Sequence, residues 1–121
     1  MPIKNFRELE IWKRSVDLAE YVYKATNDFP KDELYGLTSQ LRRAVVSIPS
    51  NIAEGFTRLH NREYKQFLYV SLGSCSEVIT QLIIAEKLGY IEKKKADWLI
   101  DEIEQISKMT MSLIKKLNTN V

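Results

Sequence analysis

A Cys–His nucleophile–base pair could be assembled here only from Cys75 and His60, since the chain holds one cysteine and one histidine. Helical periodicity puts Cys75 in the middle of a segment that His60 precedes. Fifteen residues separate them, about 22 Å along a helix axis, so no thiol–imidazole dyad is expected. Di-iron bundle proteins need Glu-x-x-His pairs on two helices; the residue three before His60 is Thr57. No Cys or His cluster has metal-ligand spacing. No Arg stands four to six residues before His60, as an Arg–His helical nuclease would require. Phosphate-cradling Gly-rich loops and nucleophile elbows are absent. The expectation is a protein that is not an enzyme, with no catalytic residue, cofactor or metal.

A polar constellation does stand out. Arg43, Ser47, Ser50, Asn51 and Glu54 share one helical stripe, opposite Leu41, Val45, Ile48 and Ile52. Between Lys65 and Glu86 the only charged residue is Glu77. The structural reading pairs Arg43, together with Arg42, with Glu77, and lets Asn51 and the serines serve the backbone that Pro49 frees. Such a pair fixes geometry more than it stabilises. The alternatives are a ligand pocket or a register device between subunits.

Four periodic segments must position these groups. The first runs from about Glu8 to Asp28, with Leu9, Trp12, Val16, Ala19 and Tyr23 in line, and stops at Phe29-Pro30. A second begins near Asp32 to Tyr35 and reaches Phe56 or Arg58, with Leu34, Leu37, Leu41, Val45, Ile48 and Ile52 in line. Because the stripe continues across Pro49, one helix kinked near Pro49 is expected rather than two. The third runs from Asn61, read as its N-cap, to Leu88, with Gly89 as C-cap. Its low charge raises the question of a membrane span, which its serines, Glu77, Thr80 and Gln81 argue against. In the fourth, from about Lys94 to Leu117, Leu99, Ile103, Ile106, Thr110, Leu113 and Leu117 form a bundle seam. Short connections then give an all-α, antiparallel up-down-up-down four-helix bundle, one domain over residues 1–121.

On a helical wheel the third segment is apolar over about 220°, roughly twice an ordinary core-facing stripe. Phe67, Val78 and Ala85 mark one side, and Leu68, Leu72, Ile79 and Ile83 extend the surface round the cylinder. Part of that arc is expected to meet a second subunit.

Alternating direction gathers the chain start, the second loop and the chain end at one pole. Lys4, Arg7, Arg58, Arg62, Lys65, Lys115 and Lys116 stand there against Glu8, Glu10 and Glu63, a net of +4, with His60 beside them. Six lysines balance six acids at the other pole. The total of +2 on 121 residues hides this asymmetry. Docking of nucleic-acid phosphates on these basic residues and His60 is therefore the first functional expectation; a protein-interaction scaffold without nucleic-acid affinity is the alternative. Composition sets the outer bounds. Apolar residues at 45% and charged residues at 28% exclude a disordered tail and a membrane protein. A single cysteine suits a reducing, cytoplasmic setting, and the opening residues contain no apolar signal region.

The words Phe6-Arg-Glu-Leu-Glu-Ile-Trp12, Gln40-Leu-Arg-Arg-Ala44, Ser47-Ile-Pro-Ser-Asn-Ile-Ala-Glu-Gly55, Gly73-Ser-Cys-Ser-Glu77 and Leu88-Gly-Tyr90 carry a resemblance. The sequence resembles the bacterial four-helix-bundle proteins encoded in intervening sequences of 23S ribosomal RNA genes. It is distantly similar to the bundle accessory proteins of diversity-generating retroelements, which bind nucleic acid and a reverse transcriptase. The resemblance implies a self-assembling bundle, a ring-like homo-pentamer, and brings no catalytic residues. The partners expected are thus further copies of the chain, RNA or DNA, or another protein, and no membrane.

Overall fold

The computed structural model describes residues 2–118. Its helices are α1 Glu10–Thr26, α2 Leu37–Phe56, α3 Asn61–Lys87 and α4 Lys93–Lys116, with 3-10 turns at Phe6–Glu8 and Lys31–Glu33. No strand occurs among the described residues. Each helix packs on two neighbours in the cyclic order α1, α2, α3, α4, leaving α1 diagonal to α3 and α2 to α4. Arg14 meets Met109 while Tyr21 meets Trp98, so α1 and α4 run antiparallel. Ser47 meets Ser74 while Gly55 abuts Phe67, so α2 and α3 do too. This is the up-down-up-down bundle that the periodicity predicts.

The core is the set of inward stripes. Leu18, Val22, Leu41, Val45, Ile48, Ile52, Leu68, Val78, Ala85, Ile103 and Ile106 have no exposed surface. Each large aliphatic side chain among them contributes roughly 1.5–3 kcal/mol of burial. On α1 the stripe differs from the expected one. Val16 and Tyr23 are exposed, and the buried line is Ile11, Ser15, Leu18, Val22 and Ala25. Ser15 hides that line from a hydrophobicity count, because its hydroxyl donates to the Ile11 carbonyl and so enters the core without an unmet polar group. On α4 the last buried position is Ile114 in place of Leu113.

Helix ends also depart from expectation. Leu34 is 49% exposed, since Lys31–Glu33 is a 3-10 turn and α2 starts only at Leu37. The N-cap there is Gly36, which has no side chain to offer. Glu33 replaces it: Oε1 accepts the Leu37 N–H at 3.0 Å and Oε2 accepts the Tyr90 hydroxyl at 2.9 Å. A Cβ on Gly36 would stand 2.6 Å from Glu33 Oε1, so the glycine makes room for the cap. The N-cap of α3 is His60, and Asn61 instead donates its side-chain N–H to the Asn118 carbonyl at 2.8 Å. Gly89 does close α3 as expected: its φ of 78° is left-handed, and the Tyr90 N–H returns to the Ala85 carbonyl.

α2 is one helix through Pro49. The polar groups beside it serve other carbonyls than the one proline orphans four residues back. Asn51 Nδ2 donates to the Ser47 carbonyl at 2.8 Å and to Ser47 Oγ at 2.9 Å. Ser71 Oγ on α3 donates to the Ile48 carbonyl at 2.8 Å, and Ser74 Oγ to Ser47 Oγ at 2.9 Å. α3 is long and apolar enough to cross a bilayer by length and composition. Eight of its residues are buried in the bundle, yet Tyr69, Val70, Ile83 and Ile84 remain exposed on its outer face. Ile83 borders α4 across a hollow that Ala96, Asp97 and Ile100 also line.

Candidate nucleic-acid interface

Chain direction alone brings four segments to one end of the bundle: the start of α1 with its leading turn, the end of α2, the start of α3 and the end of α4. Local contacts fix each of them. Asn5 Oδ1 accepts the Arg7 N–H at 2.9 Å, and Glu8 Oε2 accepts the Asn5 N–H at 2.8 Å, a reciprocal capping box that sets the leading turn. Phe6 packs edge-on against Trp12 at 5.4 Å, seating that turn on α1. Asn61 ties the start of α3 to Asn118 beyond α4. At Gly55 the α2 backbone comes so close to α3 that a Cβ would lie 2.8 Å from Phe67 Cβ.

The expected basic residues do converge here, but not all of them are free. Arg58 pairs with Glu54 at 2.9 Å and lies over the Phe67 ring at 4.7 Å from its centroid. Glu54 therefore belongs to this end and lowers its excess from +4 to +3, seven Lys and Arg against four Glu. Arg7 is bound to Asn5 Oδ1 through Nε and lies over Phe6. Arg62, Lys65, Lys115 and Lys116 have no ion-pair partner among the described residues, and neither does Lys4. His60 is exposed with extended backbone, and Leu59 at the loop tip is 88% exposed, an apolar tip that charge counting overlooks.

The stripe on α2 and its expected partners do not act as one unit. Ser47 and Asn51 form the network under Pro49, with Ser71 and Ser74 as members that the sequence reading missed. Both serines sit on the core side of α3 in an otherwise apolar stripe, which was the available signal. Arg42 does not pair with Glu77. It turns to the end of α1, where Nε donates to Thr26 Oγ1 at 2.9 Å and Nη2 to Asn27 Oδ1 at 3.0 Å, above the Tyr23 ring. A cation at a helix C-terminus complements the free carbonyls there. Arg43 and Glu77 form no ion pair either; both are exposed and face a groove of about 470 Å³ between α2 and α3. Ser50 lies on the exposed face of α2.

Among the described residues no group of three or more His, Cys, Asp or Glu converges as metal ligands do. Cys75 is buried, and burial pushes its thiol up, against a smaller opposite pull from Ser107. A thiol held protonated in this way is a poor nucleophile.

Residues 7–112 match the family of 23S rRNA-intervening sequence proteins. A solved structure, described as a protein with unknown function from the S23 ribosomal protein family of Bacteroides thetaiotaomicron VPI-5482, superposes with a TM-score of 0.79. That likeness, at 20% identity, covers 88% of this chain and 99% of the other, and it establishes a shared bundle fold. No curated protein matches.

Proposed function

The chain belongs to the 23S rRNA-intervening sequence protein family, and from that premise we propose that it is a non-enzymatic, self-assembling bundle that binds RNA through its basic end. The observation carrying this reading is the convergence of Lys4, Arg62, Lys65, Lys115 and Lys116, cations without an ion-pair partner among the described residues, from three separate segments. Each phosphate they neutralise releases counterions, which drives binding without sequence preference. The loop that leads into α3, just before Arg62 and Lys65, presents His60 and the exposed Leu59. The test is a triple reversal, Arg62→Glu, Lys65→Glu and Lys116→Glu, with Lys94→Glu and Lys95→Glu at the balanced end as the control. The first should abolish RNA binding at unchanged helicity; equal losses from both would mean that only bulk charge counts.

Self-assembly is supported by the α4 side of the outer face of α3, where Tyr69 and Ile83 stay exposed. Exposed apolar patches of this kind mark contact surfaces. Repetition of the basic end around an assembly, a pentamer by the family resemblance, would concentrate its field. Ile83→Lys should lower the mass measured by light scattering to 14.1 kDa. A parent protein that is already monomeric at micromolar concentration would end this part of the reading.

A second reading, a protein-interaction scaffold, has its own observation. Tyr21 and Trp98 pack edge to face at 5.1 Å across the α1–α4 seam and are 44% and 54% exposed. Aromatic anchors of this sort are common at protein interfaces.

A further inference from the structure

Several groups lining the groove between α2 and α3 have bonding capacity that no described residue uses. Of the six arginines, Arg7, Arg14, Arg42 and Arg58 each donate to a protein acceptor. Arg62 and Arg43 have none among the described residues, and Arg43 stands across this groove from Glu77, which has no ion-pair partner there either. Gln81, one turn beyond Glu77 on α3, has a buried amide oxygen with no donor. Buried acceptors without partners are rare, because each leaves a desolvation cost uncompensated. At the rim Tyr35 is 93% exposed, a ring with nothing stacked on it. Tyr35, Ser39 and Arg43 also border a second hollow of about 400 Å³ on the α1 side.

These groups together ask for a planar ligand with adjacent N–H donors on one edge and acceptors on the other. Guanine fits: its N1–H and N2–H₂ present contiguous donors, and its O6 and N7 are the acceptors that a guanidinium reads. Adenine and cytosine put a ring-nitrogen acceptor beside their amino group, and uracil offers one donor between two acceptors. Each of these would set an acceptor against the Glu77 carboxylate. We propose that the Arg43–Glu77–Gln81 groove binds a guanine base splayed from single-stranded RNA. Glu77 takes N1–H and one N2–H, Gln81, by turning its amide oxygen out into the groove, the other N2–H, Arg43 the acceptor edge, and Tyr35 stacks on the ring. Unpaired bases recognised on aromatic rings and by their edges are the common mode of sequence-specific RNA reading. The inference deepens the RNA-binding reading and rests on it. Phosphate contacts at the basic end position the strand, and the groove specifies it. Arg62 and Glu77 lie fifteen residues apart on α3, about 22 Å, so one strand lying along that helix reaches both.

The test uses mononucleotides, which separate the groove from the basic end. Titration of the full chain with 5′-GMP at millimolar concentrations, followed by amide NMR, should give saturable shifts at Arg43, Glu77 and Gln81. 5′-AMP should bind at least tenfold more weakly. Glu77→Gln, which turns half of the carboxylate into a donor, and Arg43→Ala should each weaken GMP binding about tenfold while leaving helicity intact. The basic-end triple variant should keep its GMP affinity within about twofold while losing RNA. Absence of saturable GMP shifts, equal binding of AMP, or parent-like affinity in both groove variants overturns the guanine site. RNA binding that persists in that case leaves the basic-end reading standing. GMP binding without any RNA binding sinks that reading and leaves a free-nucleotide site in its place.

Discussion

Along the α2–α3 seam the closest backbone approaches are made at very short side chains: Gly55 against Phe67, Ser71 onto the Ile48 carbonyl, and Ser74 onto Ser47, with the Phe56–Tyr64 ring pair closing its end. Along the α1–α4 seam they are made by long ones. Arg14 grips both carboxylate oxygens of Glu102 at 2.9 and 2.7 Å, reaches Gln105 at 2.7 Å and touches the Met109 sulfur, while Tyr21 leans on Trp98. Short side chains let two backbones approach until a hydroxyl bonds a carbonyl of the neighbouring helix. Long side chains span a wider gap and leave their outer surfaces in water. The first seam is therefore set by shape and tolerates no added volume; the second is set by charge and by aromatic contact, and tolerates trimming.

Gly55→Ala should have the largest effect. Its new methyl would press on Phe67 Cβ at 2.8 Å and on Tyr64 Cδ1 at 3.0 Å. Overpacking of that kind costs about 1–3 kcal/mol, set against up to about 1 kcal/mol of helix propensity gained. Urea unfolding with a net loss is expected; equal or higher stability would show slack in the seam and break the contrast. A double-mutant cycle on Arg14→Met and Glu102→Gln comes next. With the two side chains 26% and 22% exposed, the coupling should be about 0.5–1 kcal/mol and should shrink in salt. Coupling that salt leaves unchanged would mean that packing, not charge, holds this seam.

The smallest effect concerns the cap that joins the seams at the far end. The Leu37 amide and then the Tyr90 hydroxyl hold the Glu33 carboxyl below its usual range. A carboxylate depressed in the folded state contributes stability that is present above its unfolded value and lost as pH falls through its folded value. Glu33→Gln should thus lower stability slightly at neutral pH, converge with the parent at low pH, and so flatten the acid side of the stability curve. An acid limb as steep as the parent's would remove Glu33 from the account.

How legible this was depended on which physics set each feature. Leu41, Val45, Ile48 and Ile52 are aliphatic, regularly spaced and buried, so the α2 face could be read directly. Ser15, Ser71 and Ser74 are buried but polar; the Ile11 carbonyl of its own helix meets the cost of Ser15, and the packed α2 meets that of Ser71 and Ser74 through the Ile48 carbonyl and the Ser47 hydroxyl. Hydropathy therefore placed the α1 stripe along Val16 and Tyr23, a face the structure leaves wet. The basic end could be read because helix direction alone assembles it. The split of Arg42 from Arg43 could not, because adjacent helical residues point about 100° apart and only the α1 terminus decides which of them it captures. Glu54 likewise joined the basic end through a pairing with Arg58 one turn away.

RNA affinity measured as a function of salt tests the central claim most directly. If Arg62, Lys65 and Lys116 dock on phosphates, the parent protein should show a log-log slope of about −2 or steeper on single-stranded RNA, at about −0.7 per contact. The Arg62→Glu, Lys65→Glu, Lys116→Glu variant should lose that slope together with its affinity, while Lys94→Glu, Lys95→Glu keeps both. A parent slope near zero, no binding at low salt, or the same slope in the triple variant would contradict the account.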